Sequence, residues 1–330
     1  MTKVLFVGGT GEISLPCVIE TLKLGHDVTV FNRGHRHAAL PGQVHVIRGD
    51  LRDHASYRKL ATENFDVVCQ FVAFDLADVK RDVAVFGNHC EQYVFVSTAS
   101  AYLKPPPSYV ITEQTPLGNP FWQYSQQKVD MESHLLEQHQ SGQLQVTIVR
   151  PSHTVRTKFP GGIVRGDDWA WRMRNGRPIL VQGDGTSLWT LTHSSDFAQP
   201  FAKLLGNQDA LGESFHITRH MSAYTWNEIF EAMGAALNVQ PHLVHVPSEV
   251  LVRYQPEWQG PLFGDKCHSV LFDNSKVMQV AGPFTCQYDL PRIMQSVAEH
   301  YLQREPLVQP DPDTHALLDR IAHDITAIPR

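Results

Sequence analysis

Cysteine is scarce and scattered: Cys17, Cys69, Cys90, Cys267 and Cys286 stand far apart, with no CxxC pair. Neither a disulfide framework nor a zinc knuckle is expected, and the thiols read as reduced packing residues. Long apolar runs are missing as well. The opening "MTKVLFVGGT" has one lysine and four apolar residues before its glycines. That is too short for a signal peptide or a membrane span, so a cytoplasmic protein with no membrane partner is expected. No run of like charge occurs and the formal net charge is −6, which leaves a nucleic-acid surface without electrostatic support. Histidines are frequent, including the "HRH" at 35–37, yet none pairs at HxxxH spacing with an acid beside it. No metal site is expected.

What the chain does have is enough length for two units. Its 330 residues exceed one ordinary domain, and 42% hydrophobic with 19% charged residues is usual for a globular protein. The first 150 residues alternate buried-type strands with helical stretches. "KVLFVG", "DVTVFN", "VHVIRGD", "DVVCQFVA", "QYVFVSTAS" and "QVTIVRPS" form the strand series. Such spacing implies βαβ units and an α/β, Rossmann-type doubly wound parallel sheet. After Pro151 that cadence stops, and a smaller carboxyl-terminal lobe is expected over the sheet edge where such folds bind ligands. The expected division is 1–151 with about 188–213 for the nucleotide-binding domain, and 152–187 with 214–330 for the substrate lobe.

Between the first strand and the first helix lies "VGGTGEIS". Glycines there allow a tight turn and let backbone N–H groups approach a pyrophosphate at a helix N-terminus. Gly8, Gly11, Glu12 and Ile13 are the expected contacts, with Ser14 in the place of a third glycine. At the end of the second strand, where a carboxylate would hold the ribose of NAD, stand Asn32 and Arg33, with Arg36 nearby. A guanidinium suits a 2′-phosphate, so NADP is preferred over NAD; the plain alternative is that these arginines are solvated surface. Asp50 and Leu51 suit an adenine contact, or a turn cap. Phe71, Ala73, Pro151, Ser152 and His153 are further expected cofactor neighbours.

"YSQQK" sets Tyr124 and Lys128 one helical turn apart on one face. A phenol is a poor base at neutral pH, but an adjacent ammonium favours its ionised form. Tyr124 is then the acid/base and Lys128 its modulator and cofactor ligand. Of the strand-end hydroxyls Ser97, Thr98 and Ser100, one should face the substrate oxygen.

Taken in order, "GGTGEIS", "STASAY", "YSQQK", "RPSHTV" and "THSSDFA" resemble the extended short-chain dehydrogenase/reductase superfamily, in its NAD-dependent epimerase/dehydratase group. The resemblance runs from about residue 3 to 280. It implies that Tyr124, Lys128 and Thr98 are the catalytic set, that Ser152 and His153 lie near nicotinamide and substrate, and that the protein is a homodimer. Sugar-nucleotide members carry an arginine four residues before the histidine that Trp189 precedes here, and another before a Gly-Asp that is Gly264-Asp265, where Leu262 and Phe263 now stand. Both charges of a diphosphate clamp are absent. Arg165, Arg172, Arg174 or Arg253 could replace them from elsewhere. Trp189, Trp169 and Trp171 instead suit a flat, partly apolar substrate, or simply the core. The expected substrate pocket is Phe74, Ser100, His153, Trp189 and Leu191.

The expected function is hydride transfer at a secondary alcohol or ketone of a small, carbohydrate-like substrate, with no nucleic-acid partner. One alternative is a nucleotide-sugar epimerase or dehydratase, although Ala99 and Ser100 replace the acids a dehydratase commonly needs. Another is a non-catalytic cofactor- or RNA-binding protein, because a plastid branch of the family with a similar loop binds RNA. The intact Tyr-Lys pair and the negative charge argue against it.

Overall fold

The computed structural model describes residues 1–34 and 40–327. Seven strands make one sheet: β1 (Lys3–Val7), β2 (Asp27–Asn32), β3 (His45–Arg48), β4 (Val67–Gln70), β5 (Gln92–Val96), β6 (Val146–Pro151) and β7 (Ser214–Ile217). Their order is β7-β6-β5-β4-β1-β2-β3, and every neighbouring pair is parallel. The order reverses on either side of β1. At that switch point loops diverge and leave a crevice at the carboxyl ends of the strands.

Both faces of the sheet are covered, which is why β1, β4, β5 and β6 are apolar almost throughout rather than alternating. On one side Val4, Phe6, Val28 and Val30 pack under Cys17 and Val18 of helix Ser14–Lys23 and under Phe197 and Phe201 of helix Ser194–Leu204. On the other, Leu5, Val68 and Phe95 meet Tyr57, Val79, Phe86, Met131 and Leu135. A third core belongs to the lobe and is built on Trp169, Trp189, Trp226, Phe230 and Ile293.

The division of the chain differs from expectation in three places. Ser214–Ile217 was expected in the lobe but pairs with Ile148–Pro151 as the edge strand β7. A four-residue strand with a histidine and a serine has too weak a period to stand out in sequence. Leu188 and Trp189, expected in the nucleotide-binding domain, pair antiparallel with Tyr224 and Thr225 in the lobe. The run 188–193 is therefore two strands, because Leu191–His193 pairs instead with His153–Val155. Helix Ser275–Ala281 also returns to the sheet side, where Val277 and Ala281 join the first core. The lobe and the sheet domain thus exchange chain several times.

Behind the crevice, helix Gln123–Gln140 is tied to β6 by a buried pair. Arg150 Nε donates to Glu132 Oε1 at 3.0 Å and Nη2 to Oε2 at 2.6 Å. Arg150 also donates to the Tyr102 hydroxyl at 3.2 Å, which meets His216 Nδ1 at 3.1 Å. Glu132→Ala should cost about 3–5 kcal/mol, since it strands a buried guanidinium. Urea unfolding would check this, and a loss below about 1 kcal/mol, the worth of a surface pair, would contradict it.

Candidate active site

A cleft of about 820 Å³ follows the carboxyl ends of β1 to β6. At its centre is the glycine loop. Gly8 has φ +89°, and a Cβ there would lie 2.5 Å from Val72 Cγ1; one on Gly9 would lie 2.6 Å from Val30 Cγ2. Ser14 closes the loop instead of a third glycine: its hydroxyl donates to Gly8 O at 2.6 Å and accepts from Gly11 N at 2.9 Å. No side chain caps the following helix at Ile13, and its first turn holds no acid. Among the described residues the N–H groups of Glu12 and Ile13 have no protein acceptor. Together with the positive helix end, these groups fit a pyrophosphate.

The Glu12 side chain is directed elsewhere. Its carboxylate accepts from Arg156 N at 3.2 Å, Thr157 N at 2.8 Å and the Thr157 hydroxyl. Burial works against ionisation, but these bonds and Arg156 bring its pKa below the usual range. Glu12 thus ties the glycine loop to the segment leaving β6, and only its backbone is available to a phosphate.

Toward the β2 side the cleft is lined by Asn32, Arg33, Asp50 and Leu51. Asn32 Oδ1 is taken by Gly34 N at 2.8 Å, so neither a carboxylate nor a free amide oxygen faces a ribose hydroxyl. Asp50 Oδ1 caps its own turn at Arg52 N, 2.9 Å away, so the turn-cap reading holds for its side chain. Arg36 lies outside the described residues. Arg52, Thr10, Asp75 and Asp78 also line this cleft and were not singled out in the sequence. Arg52 follows the Asp50-Leu51 pair directly, and that adjacency was the available signal.

At the other end Thr98, Tyr124, Lys128, Pro151, Ser152 and His153 meet. Lys128 is 3% exposed, and its ammonium donates to Ala73 O at 2.9 Å and Val96 O at 3.2 Å, the backbone beyond β4 and at the end of β5. Burial pulls its pKa down to about 8, against the pull of Glu132 and Asp78. Ala73, buried, contributes this carbonyl rather than a side chain to the cleft. Phe71 and the half-exposed Phe74 line the cleft, and Lys128 Nζ is 5.5 Å from the Phe74 ring.

Tyr124 differs from the expected phenolate. Burial raises its pKa, with only the Thr98 hydroxyl opposing, while Lys128 Nζ sits 6.0 Å from the ring centroid and bonds to carbonyls. The phenol therefore holds its proton at neutral pH. Thr98 is fixed by a chain of hydroxyls, 3.1 Å to Ser100 and 2.8 Å from Ser100 to Ser125. The Ser97 hydroxyl, buried beside it on the cleft, has no partner among the described residues. Such an orphan suits a bound polar group.

Three expected pocket residues are not on the cleft. Ser100 lies behind Thr98 and orients it. Leu191 is fully buried in the lobe core. Trp189 is 1% exposed, stacked on Trp226 at 4.4 Å and tilted against His153 at 4.3 Å, with Nε1 donating to Asp265 Oδ1 at 3.3 Å. Its alternating strand pattern was the same for core and for pocket. The substitute arginines are also engaged away from the cleft. Arg165 pairs with Asp168, Arg172 with Asp319 and Arg174 with Glu305, while Arg253 lies on the helix Ser248–Tyr254. Trp169 is core, and Trp171 packs on His315.

A doubly wound parallel sheet with a glycine loop and a Tyr-Lys pair at its carboxyl edge is the architecture of a dinucleotide-dependent enzyme. Residues 83–218 match the NAD dependent epimerase/dehydratase family. It is 29% identical over 251 residues to the 2'-dehydrokanamycin reductase of Streptomyces kanamyceticus, covering 75% of this chain and 70% of that protein. It is 29% identical over 260 residues to the chloroplast stem-loop binding protein of 41 kDa b of Arabidopsis thaliana, with 74% and 65% covered. Against the UDP-glucose 4-epimerase of Lactobacillus helveticus the identity is 25% over 304 residues, with 85% and 91% covered. A UDP-glucose 4-epimerase from Bifidobacterium longum, solved with NAD+ and UDP, shares the fold at a TM-score of 0.73 and 21% identity, over 92% of this chain and 99% of that one. Among the described residues there is no helix long and apolar enough to cross a membrane and no metal-holding cluster.

Because the Lys128 ammonium is penalised by burial, its resonance in protein labelled at lysine Cε should titrate near pH 8 in the folded chain. The unfolded value is about 10.4. Between those values the unfolded chain binds more protons, so stability relative to Lys128→Met should rise with pH across that window and stay flat below it. A folded-state midpoint near the unfolded value would contradict the placement.

Proposed function

We propose that the chain is an NADP-dependent reductase of a small, carbohydrate-like ketone that carries no nucleoside diphosphate. The observation that carries this reading is the buried Tyr124 phenol, set beside Thr98 at the end of β5 with its pKa raised by burial. When bound, the cofactor supplies a hydride from its nicotinamide. Tyr124 gives its proton to the substrate oxygen as negative charge develops there, and Thr98 donates a hydrogen bond to the same oxygen. Lys128, fixed by two carbonyls, has its remaining donor for the cofactor ribose. The buried Ser97 hydroxyl and Ser152 flank that end of the cleft.

Preference for the phosphorylated dinucleotide rests on Arg33 and Arg52, both lining the cleft where Asn32 has replaced a carboxylate. The exclusion of a nucleoside diphosphate rests on Trp189, which is locked in the core, and on the outlying arginines, each held by its own partner or placed away from the cleft. Likeness to the reductase that acts on 2'-dehydrokanamycin supports ketone reduction as the reaction class.

Two outcomes follow. NADPH should bind at least about tenfold more tightly than NADH, and Arg33→Ala should narrow the gap, as calorimetry would show; tighter NADH binding would refute the preference. Tyr124→Phe should lower turnover by about 10²- to 10⁴-fold and leave cofactor affinity nearly intact. Undiminished turnover would remove Tyr124 from the chemistry.

A further inference from the structure

One peptide unit on the wall of the cleft lies between two opposite charges. Lys128 Nζ donates to the carbonyl of Ala73 at 2.9 Å, and the N–H at the far end of that same peptide, that of Phe74, donates to Asp78 Oδ2 at 2.9 Å. A trans peptide is planar, and its C=O and N–H point in opposite directions. A carboxylate that fixes the N–H therefore also aims the carbonyl at the ammonium. Asp78 itself lines the cleft. Its other oxygen accepts from Arg81 Nη1 at 2.8 Å, and Arg81 Nη2 reaches Asp82 Oδ1 at 3.2 Å. Buried Asp82 accepts from Gln70 Nε2, whose Oε1 in turn accepts from Val72 N at 2.8 Å. The N–H groups before and after Ala73 are thus both held by side chains, and one chain of bonds joins the two holders.

An acid in the first turn of helix Leu76–Phe86 that reaches back to a preceding N–H resembles an ordinary helix cap. What sets this one apart is the ammonium on the opposite end of the peptide. A hydrogen bond to a carboxylate is charge-assisted, and it polarises the peptide so that the carbonyl becomes a stronger acceptor. Asp78 also favours the charged form of Lys128 against burial. The other groups around the ammonium have separate tasks. Glu132, one turn further along the same helix, is held by Arg150, and Tyr124 keeps its proton. The rings of Phe95 and Phe74, 4.7 and 5.5 Å from Nζ, carry no charge.

We propose that Asp78 is a positioning residue for Lys128: through the Ala73–Phe74 peptide it orients the carbonyl that holds Nζ, and so keeps the remaining lysine donor aimed at the cofactor ribose. This rests on the cofactor role given to Lys128 above and adds the residue that sets it. Asp78 acts through one peptide and touches neither cofactor nor substrate in this role.

The test uses the full chain labelled at lysine Cε, with and without NADPH. Asp78→Ala should lower the titration midpoint of Lys128 below that of the unchanged protein and weaken NADPH binding about three- to tenfold. Asp78→Asn keeps an acceptor for the Phe74 N–H but no charge, and its midpoint should fall between the two. Val83→Ala opens a cavity under the same helix without touching the bridge, so it should cost stability and leave the midpoint in place. In the unchanged protein the Phe74 amide resonance should titrate together with Lys128, and that titration should vanish in Lys128→Met. An unmoved midpoint in Asp78→Ala, or an equal shift in Val83→Ala, would overturn the proposal. So would a Phe74 amide indifferent to Lys128, or a midpoint in Asp78→Asn as low as in Asp78→Ala, since charge acting through space would then be the whole effect. If the unchanged protein binds neither NADPH nor NADH while the midpoints move as expected, the cofactor reading falls and the peptide bridge stands.

Discussion

The rest of the site depends on the Lys128 ammonium being buried against the carbonyls of Ala73 and Val96. A charge placed in the fold at that depth needs acceptors, and strand ends that have just left their ladder have carbonyls to spare. The lysine therefore fixes the distance between helix Gln123–Gln140 and the edge of the sheet. Tyr124, one turn earlier on that helix, comes to the end of β5 as a consequence. The Glu132–Arg150 pair secures the same helix from behind.

This geometry also separates the roles of the pair. An ammonium turned toward carbonyls and 6.0 Å from the Tyr124 ring does little to ionise the phenol, and burial keeps it protonated. A protonated phenol beside a hydroxyl donor is arranged to quench developing alkoxide charge.

The parts of the site readable in sequence were those fixed by backbone and by helical spacing. Gly8 and Gly9 are needed because no Cβ fits there, and Tyr124 and Lys128 share a face because four residues make about one turn. Trp189 was ambiguous for a physical reason. A strand presents alternate residues to one side, and the pattern does not say whether that side meets Trp226 or a substrate. Strand β7 was hidden because an edge strand so short has little period. Glu12 was assigned to the cofactor by its place in the loop, whereas its carboxylate reaches across to Thr157. Its partner could not be seen from the loop alone.

The central claim is that hydride leaves the cofactor for good and a substrate carbonyl is reduced. Incubation with NADPH deuterated at nicotinamide C4, followed by mass spectrometry of keto sugars and keto sugar acids, tests it most directly. The account predicts deuterium in an alcohol product, with one NADP+ formed for each product molecule. Recovery of unconsumed cofactor together with an epimerised nucleotide sugar would contradict it.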